Sequence, residues 1–586
     1  MGRIQDFKGE VNNNNSELNV SDDKLLEFSI WNSNGSIASK EDSCVAENEE
    51  YVVVVKGKGL IPTDLLEMLK ISGIASLRRI KANCSVAIIN KITQQLVLYR
   101  GPIGRYSLFW TKSLNKLLWS TYLDDLVTDQ AKLSLAYFKR YFITMGYVDS
   151  WSETPYENVY RVPRGTAIIF SSFDTDPTIL FNDSLQISTE VSNFKEHDVV
   201  DGYLHYLNQS LSRHKDSEDS VFQCSGGLDS SSLIVANSLN PTSKDVALTL
   251  TFEKYDYCDE RENAMKVAEA SNIPWYQVLG DKLPFSRHIL KEHVPIEPGP
   301  DVSFYPWRTP FFEFAKQHGY SNIISGYGAD DLLLGNFCFI ADLIKSGKIF
   351  SAFKQAYGSA QRYKEHGLTV AWFFKSYGLF PLLKIPQKAP YFGAWDPTIH
   401  QRYFIPSFVE DTVENQYLLQ ESLRTIESIR LPSEYSTQLA RNMSLTFHTF
   451  ASVDGIGRTL DIEENYPFLD RELVEFVMSL PNKYLIQGSN RKIITTWALG
   501  HKFPKDYSPV QGDFYKLTFE SLRTNWNQIV EIVSNSPLCD VGLISRKKAI
   551  AFLESWKCGK EVDSTQTLNA LLGACIWVEN KGVSFG

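Results

Sequence analysis

No two cysteines in this 586-residue chain form a CxxC pair, and the eight present are scattered along it. That pattern suits a reducing cytosol rather than a disulfide scaffold or a zinc site. Apolar runs are short as well: none reaches the roughly 18 residues a membrane helix needs. The opening MGRIQDFKGEVNNNN has no apolar signal core and carries Asp6 where a myristoylation motif wants Ser or Thr. Positive charge is outweighed, the formal net charge being −10 and the pI about 5.6, so there is no basic field to steer the chain onto nucleic acid or anionic lipid. An anionic ligand must be met by local groups. No repeat of solenoid length is found. The expectation is a cytoplasmic protein with no nucleic acid and no membrane as partner, whose apolar share of 43% is ample for the cores of two or three domains.

What is present falls into two textures. Residues 50 to about 190 alternate short β-rich runs (YVVVVKG, SVAIIN, QLVLYR, KLLWST, GTAIIF) with Gly and Pro punctuation. Near 183–199 a polar stretch reads as a linker running into a helix, and beyond it apolar strands alternate with helical patterns. Two domains are expected, 1–190 sheet-rich and 191–586 α/β.

At 223–234 the string QCSGGLDSSSLI lies between an apolar run, VFQC, and the helical spacing of SSSLIVANSL. Strand, Gly-rich turn and helix follow in that order. Such a turn offers backbone N–H groups and Ser hydroxyls at a helix N-terminus, where unpaired donors and the helix dipole favour a phosphate. Asp229 would be repelled by that phosphate unless a cation sat between them, and it is read as a Mg2+ ligand, since Mg2+ is held by one or two carboxylates plus phosphate oxygens. The plain alternative is a Gly-Gly loop capped by Ser and Asp for structural reasons.

The longer string SGGLDSS resembles the pyrophosphate loop of the asparagine synthetase superfamily, whose members adenylate a carboxylate with ATP, release pyrophosphate and let an amine attack. Other stretches agree in order: VALTLTF at 246–252, DERENAMKVAEASNIPWYQV at 259–278, SGYGADDLLLGN at 325–336, YPFLDRELVEFVMSLP at 466–481 and GSNRKIITTWAL at 488–499. In the first half GPIGRYSLFW at 101–110 and LLWSTYLDDL at 117–126 resemble the superfamily's glutaminase fold. The resemblance implies an Ntn-hydrolase-like (glutaminase-type) β-sheet sandwich with helices, followed by a parallel-sheet adenine-nucleotide-binding domain. It implies ATP contacts from Cys224, Ser225, Gly226, Gly227, Leu228, Asp229 and Ser230, from Leu250, Thr251 and Phe252, and from Ser325 and Gly326. Asp229 and Asp330 would share Mg2+. Lys492 would stabilise the oxyanion formed when an amine adds to the acyl-adenylate, with neighbouring Arg491 as the other candidate and a solvated helix lysine as the plain one. Tyr327 stands where asparagine synthetase has Glu, which resembles the β-lactam and carbapenam synthetases, where a Tyr and a carboxylate form a base dyad. Glu463 is chosen as that carboxylate over Glu464 and Asp454.

Two departures narrow the expectation. A glutaminase of this superfamily uses an N-terminal cysteine after Met removal, but here that position is Gly2 and the nearest cysteine is Cys44, so the amine must come from elsewhere than glutamine. The 136 residues between Asp330 and Pro467 exceed asparagine synthetase by several tens; they include AWFFKSYGLFPLLK, and FFEFAKQHGY lies just upstream. Such aromatic helices can roof a large substrate cavity or dock a partner, or simply extend the core. With the terminus SPLCDVGLISRKKAIAFLESWKCG and TLNALLGACIWVEN, the whole resembles the lasso peptide cyclases. Those adenylate an Asp or Glu side chain of a precursor peptide and capture it with the peptide's own α-amine, and they work with a leader-binding protein and a leader peptidase. The other readings are a β-lactam-synthetase-like enzyme, an amidotransferase using free ammonia or an external amine, and a non-catalytic scaffold.

Overall fold

The computed structural model describes residues 7–12, 24–30, 33–39, 44–113, 116–144, 146, 152–188, 194–215, 219–238, 244–281, 295–299, 305–335, 337, 339–364, 367–383, 405–428, 447–508, 512, 514–558 and 565–585. It is a mixed α/β protein with antiparallel sheets in the first third and a parallel sheet after them.

Twelve strands precede residue 183: β1 Phe7–Asn12, β2 Lys24–Ile30, β3 Ser33–Ser39, β4 Val45–Glu47, β5 Tyr51–Lys58, β6 Asn83–Asn90, β7 Gln95–Arg100, β8 Phe109–Ser113, β9 Lys116–Ser120, β10 Val159–Arg161, β11 Thr166–Phe170 and β12 Thr178–Asn182. They form two six-stranded sheets, ordered β10-β8-β9-β1-β3-β2 and β12-β11-β7-β6-β5-β4. Side chains alternate between faces along a strand, and both faces are used. Val52 and Val54 of β5 pack with Leu117 and Trp119 of the other sheet, whereas Val53 and Val55 turn outward to Leu65 and Leu69 of the helix Pro62–Ser72. YVVVVKG therefore reads as a continuous apolar run because its strand is covered on both sides. On the outside of the first sheet, Phe109 joins the helix Leu135–Ile143 and the chain's last helix, Thr565–Lys581, in another core. The layers run helix, sheet, sheet, helix.

The five parallel strands are β13 Ser220–Gln223, β14 Val246–Thr251, β15 Trp275–Leu279, β16 Asn322–Ile324 and β17 Glu463–Asn465, ordered β15-β14-β13-β16-β17. Their side chains divide between two cores in the same alternating way. Val221, Leu248 and Ile323 face one; Phe222, Ala247 and Ile324 face the other. Helices cover both faces, as a doubly wound sheet requires. The chain builds outward from β13 to β15, then returns to place β16 on β13's other side. That reversal opens a crevice at the carboxyl ends of β13 and β16, where open α/β sheets bind ligands.

Candidate active site

Both loops at the crevice follow from local sequence. After β13, Gly226 takes φ +80°, a left-handed conformation that disfavours any Cβ, and a Cβ there would sit 2.8 Å from the Glu260 carbonyl oxygen. Ser225 and Ser230 close the turn across its mouth: Ser225 N donates to Ser230 Oγ at 3.1 Å, the two hydroxyls are 3.0 Å apart, and Gly227 N donates to Ser225 Oγ at 3.2 Å. The helix Leu228–Asn237 then begins, with Asp229 in its first turn. After β16, Ser325 Oγ donates to Gln223 Oε1 at 2.8 Å, and Gly326 packs so tightly that a Cβ would lie 2.8 Å from Ser230 N. Gly328, at φ +89°, starts the short helix Ala329–Leu333 that carries Asp330. The two glycine turns are thus in backbone contact, and each presents an aspartate to the crevice.

Lys492 joins those aspartates. Its Nζ donates to Asp229 Oδ1 and Oδ2 at 2.7 and 2.6 Å and meets Asp330 Oδ1 at 2.6 Å. The residue begins the helix Ile493–Leu499 in the left-handed region, φ 54°, a conformation a lysine holds only where its surroundings enforce it. A hairpin, Ile486–Gln487 against Asn490–Arg491, delivers it there. That hairpin's turn is held by the helix Ile349–Arg362: Gly488 N donates to Gln355 Oε1 at 2.7 Å, and Arg362 Nη1 donates to the Ser489 carbonyl at 3.0 Å. Arg491 lies over the Phe337 ring at 4.2 Å, so Lys492 is the cation that meets the aspartates. With its side chain only 13% exposed, Lys492 is not a solvated surface lysine.

Burial raises the pKa of Asp229 to about 6; Lys492 opposes the rise and Asp330 adds to it. Burial works against the charge of Lys492, but the two aspartates outweigh it and hold its pKa above the ordinary value. Two carboxylates converging on one cation from separate loops are the hard oxygen donors that suit Mg2+ shared with a phosphate. Among the described residues no group of three or more His, Cys, Asp or Glu could hold a metal without such help.

Of the strand-end positions, Thr251 closes β14 beside the crevice and Phe252 follows it, fully buried against Trp307 at a ring separation of 5.9 Å. Leu250 packs on the same small cluster. Cys224 is buried at the head of the phosphate loop; its carbonyl accepts from Thr249 Oγ1 at 2.7 Å.

The pairing of Tyr327 with Glu463 is not what the structure brings together. Glu463 accepts from Tyr106 OH, in the loop between β7 and β8, at 2.9 Å and lies 3.5 Å from Lys58 of β5. Burial would raise its pKa, but Lys58 and Arg105 outweigh burial and lower it. Successive residues of β17 point to opposite faces, and the Glu464 side chain turns to Arg308. Glu464 is fully buried and 3.3 Å from Arg308, whose guanidinium lies 5.4 Å over the Tyr327 ring; its Oε2 has no hydrogen-bond partner, and burial raises its pKa. Asp454 pairs with Arg105 at 2.9 Å. Gly2 and its surroundings lie outside the described residues.

Three residues that sequence reading missed shape the crevice. Tyr507 OH donates to the Gly226 carbonyl at 3.0 Å, and Glu260, its pKa raised by burial to about 7, accepts from Gly512 N at 2.7 Å, so Tyr507 and Gly512 each tie down the surroundings of the first glycine turn. Arg308 is the third, and Glu464, weighed in the sequence as the alternative to Glu463, is its partner. EEN at 463–465 does offer two acids side by side, whereas Tyr507 carries no motif at all.

The sequence profile of the asparagine synthase family matches residues 203–579, taking in both glycine turns and Lys492. The chain belongs to the asparagine synthase family. Enzymes of that family use ATP, and the match points to ATP-dependent amide formation. No curated protein matches the asparagine synthase-like chain in sequence. Among solved structures, the U34-tRNA thiolase NcsA from Methanococcus maripaludis with its [4Fe-4S] cluster is 12% identical, with 45% of this chain and 85% of that one covered and a TM-score of 0.21. The glutamine phosphoribosylpyrophosphate amidotransferase from B. subtilis, complexed with ADP and GMP, is 11% identical at a TM-score of 0.18, with 47% and 60% covered. The match thus spans 60% of the amidotransferase's length. Likenesses at these scores carry no weight for the function of this chain. Among the described residues no helix is long and apolar enough to cross a membrane, and seven cysteines there are free thiols.

Proposed function

We propose that this asparagine synthase-family protein is a lasso peptide cyclase, an ATP-dependent macrolactam synthetase. A side-chain carboxylate of a precursor peptide attacks the α-phosphorus of ATP and pyrophosphate leaves. The peptide's α-amine then adds to the acyl carbon, AMP departs with the C–O electron pair, and the amine gives up a proton, so the peptide loses one water overall. The observation that carries the reading is the convergence of Asp229, Asp330 and Lys492 at the crevice between β13 and β16.

Mg2+ held by Asp229 and Asp330 would neutralise phosphate charge as pyrophosphate leaves. Backbone N–H groups of the Ser225–Ser230 turn face the phosphates at a helix N-terminus. Lys492, once relieved of the two carboxylates, would be the cation that stabilises the oxyanion. Tyr327, beside Arg308 and Glu464, is the group that takes the amine's proton. Peptide rather than metabolite is favoured by the long insert, whose Ile349–Arg362 helix supports the Lys492 hairpin, because holding a prefolded chain for ring closure needs more wall than a small substrate does. The first domain is read as a degenerate glutaminase, and a leader-binding protein and leader peptidase as pathway partners. A β-lactam-synthetase-like closure of a small ring is the second reading, favoured by Tyr327. Incubation with Mg-ATP, a leader-bearing precursor and its partner proteins tests the choice. The expected product is lighter by one water, and the loss disappears when the acceptor Asp or Glu becomes Asn or Gln. A dehydrated small β-amino acid with untouched precursor would reverse the two readings.

A further inference from the structure

The two most exposed large hydrophobic side chains among the described residues are Val413, at 89%, and Phe350, at 83%. They sit on two helices of opposite charge. Phe350 belongs to Ile349–Arg362, whose inner face of Ala352, Gln355, Ala356 and Ser359 is buried while Ile349, Phe353 and Tyr357 form an outward stripe at helical spacing. From 343 to 364 the chain has five Lys or Arg and no Asp or Glu, and Lys348 and Lys354 stand exposed beside the stripe. Val413 opens Val413–Ser428, with Tyr417 one turn on, 65% exposed. From 405 to 420 there are three acids and no Lys or Arg; Glu414 is paired with Lys139 at 2.8 Å, and Glu410 and Asp411 stand exposed at the helix start.

Each patch is what the other lacks, apolar at the centre and of opposite charge at the rim, yet both are exposed in one chain. We propose that the outer face of Ile349–Arg362 docks on the start of Val413–Ser428 of a second copy of this chain, in a two-fold dimer that makes the contact twice. A two-fold arrangement covers both patches on both copies with one geometry and closes without leaving a free end. An anionic bilayer would cover only the basic stripe and would meet a chain of net charge −10; an acidic peptide would leave Val413 and Tyr417 in water.

Sedimentation of the full chain at low salt tests this directly. The expected mass rises with concentration from 66.7 kDa towards twice that value, and added salt weakens the association. K348E/K354E and E410K/D411K should each weaken self-association by roughly tenfold or more. Mixed together, the two variants should form a heterodimer, because at one contact the reversed basic helix of one faces the reversed acidic helix of the other, and at the second contact the two unaltered surfaces meet. That rescue also shows that neither variant is misfolded. Wild type that stays monomeric up to about 100 µM, variants that dimerise as wild type does, a mixture that fails to associate, or monomeric protein captured by phosphatidylserine vesicles through the Phe350 face each overturns the proposal.

Discussion

Replacing Lys492 with Met removes the shared cation while keeping most of the side chain's volume, and the consequence for pH can be worked out. In the intact protein Asp229 has its pKa raised by burial to about 6, with Lys492 the largest opposing influence. Without Lys492 that pKa must go higher. A carboxyl whose folded pKa lies above its unfolded value binds more proton in the folded state between those two values, so stability falls as pH rises through that window. For wild type the Asp229 window closes near pH 6, and the raised pKa of Lys492 places its own loss of stabilisation far above neutral. From about pH 6 to about pH 8 these groups therefore leave wild type nearly level. K492M should lose up to about 1.4 kcal/mol per pH unit, or up to about 3 kcal/mol over that range, comparable with breaking a buried ion pair. Thermal unfolding followed at several pH values should show the midpoint of K492M falling by several degrees relative to wild type. Adding D330N removes the like charge that raises Asp229 and should flatten the slope. A K492M protein that tracks wild type across the range, or gains stability as pH rises, would refute the reasoning.

Other outcomes are expected at the same crevice and its surroundings. D229A and D330A should stay soluble and folded while pyrophosphate release drops by at least about a hundredfold; wild-type turnover in either would move the phosphate site elsewhere. Y327F should still release pyrophosphate but close the amide roughly 10² to 10⁴ times more slowly, leaving an adenylate trappable with hydroxylamine, and unchanged product formation would remove Tyr327 from proton transfer. Y507F, which deletes the donor to the Gly226 carbonyl, should weaken ATP binding several-fold, as a net loss of about 1 kcal/mol predicts. An inert first domain, as the proposed function reads it, should release no glutamate from glutamine, and release that survives alkylation of every thiol would count against that reading.

The glycine turn after β13 was legible as a turn because its demands are local. Glycine at 226, Ser at 225 and 230 and Asp at 229 are fixed by a left-handed turn and a helix start, and these conditions act over a few residues. YVVVVKG and SVAIIN were legible as strands for a similar reason, since double burial leaves an uninterrupted apolar signal. β1 to β4 went unread because stretches such as FKGEVN and SNGSIAS give only a weak apolar alternation, although β2 pairs with neighbouring β3 and β4 with neighbouring β5, and only β1 reaches across to a distant strand, β9. The choice between Glu463 and Glu464 turned on a single residue of strand register, which depends on how β17 lies against β16 across a separation of more than a hundred positions. Nothing near residue 463 encodes it. The opposed charges at 343–364 and 405–420 were there to be counted, but which hydrophobic side chains stay exposed between them is settled by packing alone.

The placement of the last helix has a consequence for how the chain is made. Thr565–Lys581 lies against Leu135–Ile143: Tyr141 OH donates to the Ala570 carbonyl at 3.1 Å, Phe138 meets the Trp577 ring at 6.2 Å, and Lys581 reaches Asp124 at 2.7 Å. During synthesis, Phe138 and Tyr141 emerge more than 400 residues ahead of the helix that covers them. At ribosomal speed that wait is on the order of tens of seconds, far longer than hydrophobic collapse takes. The first sheet layer must therefore persist half-covered on the ribosome, open to chaperones, until the final helix is released to close it.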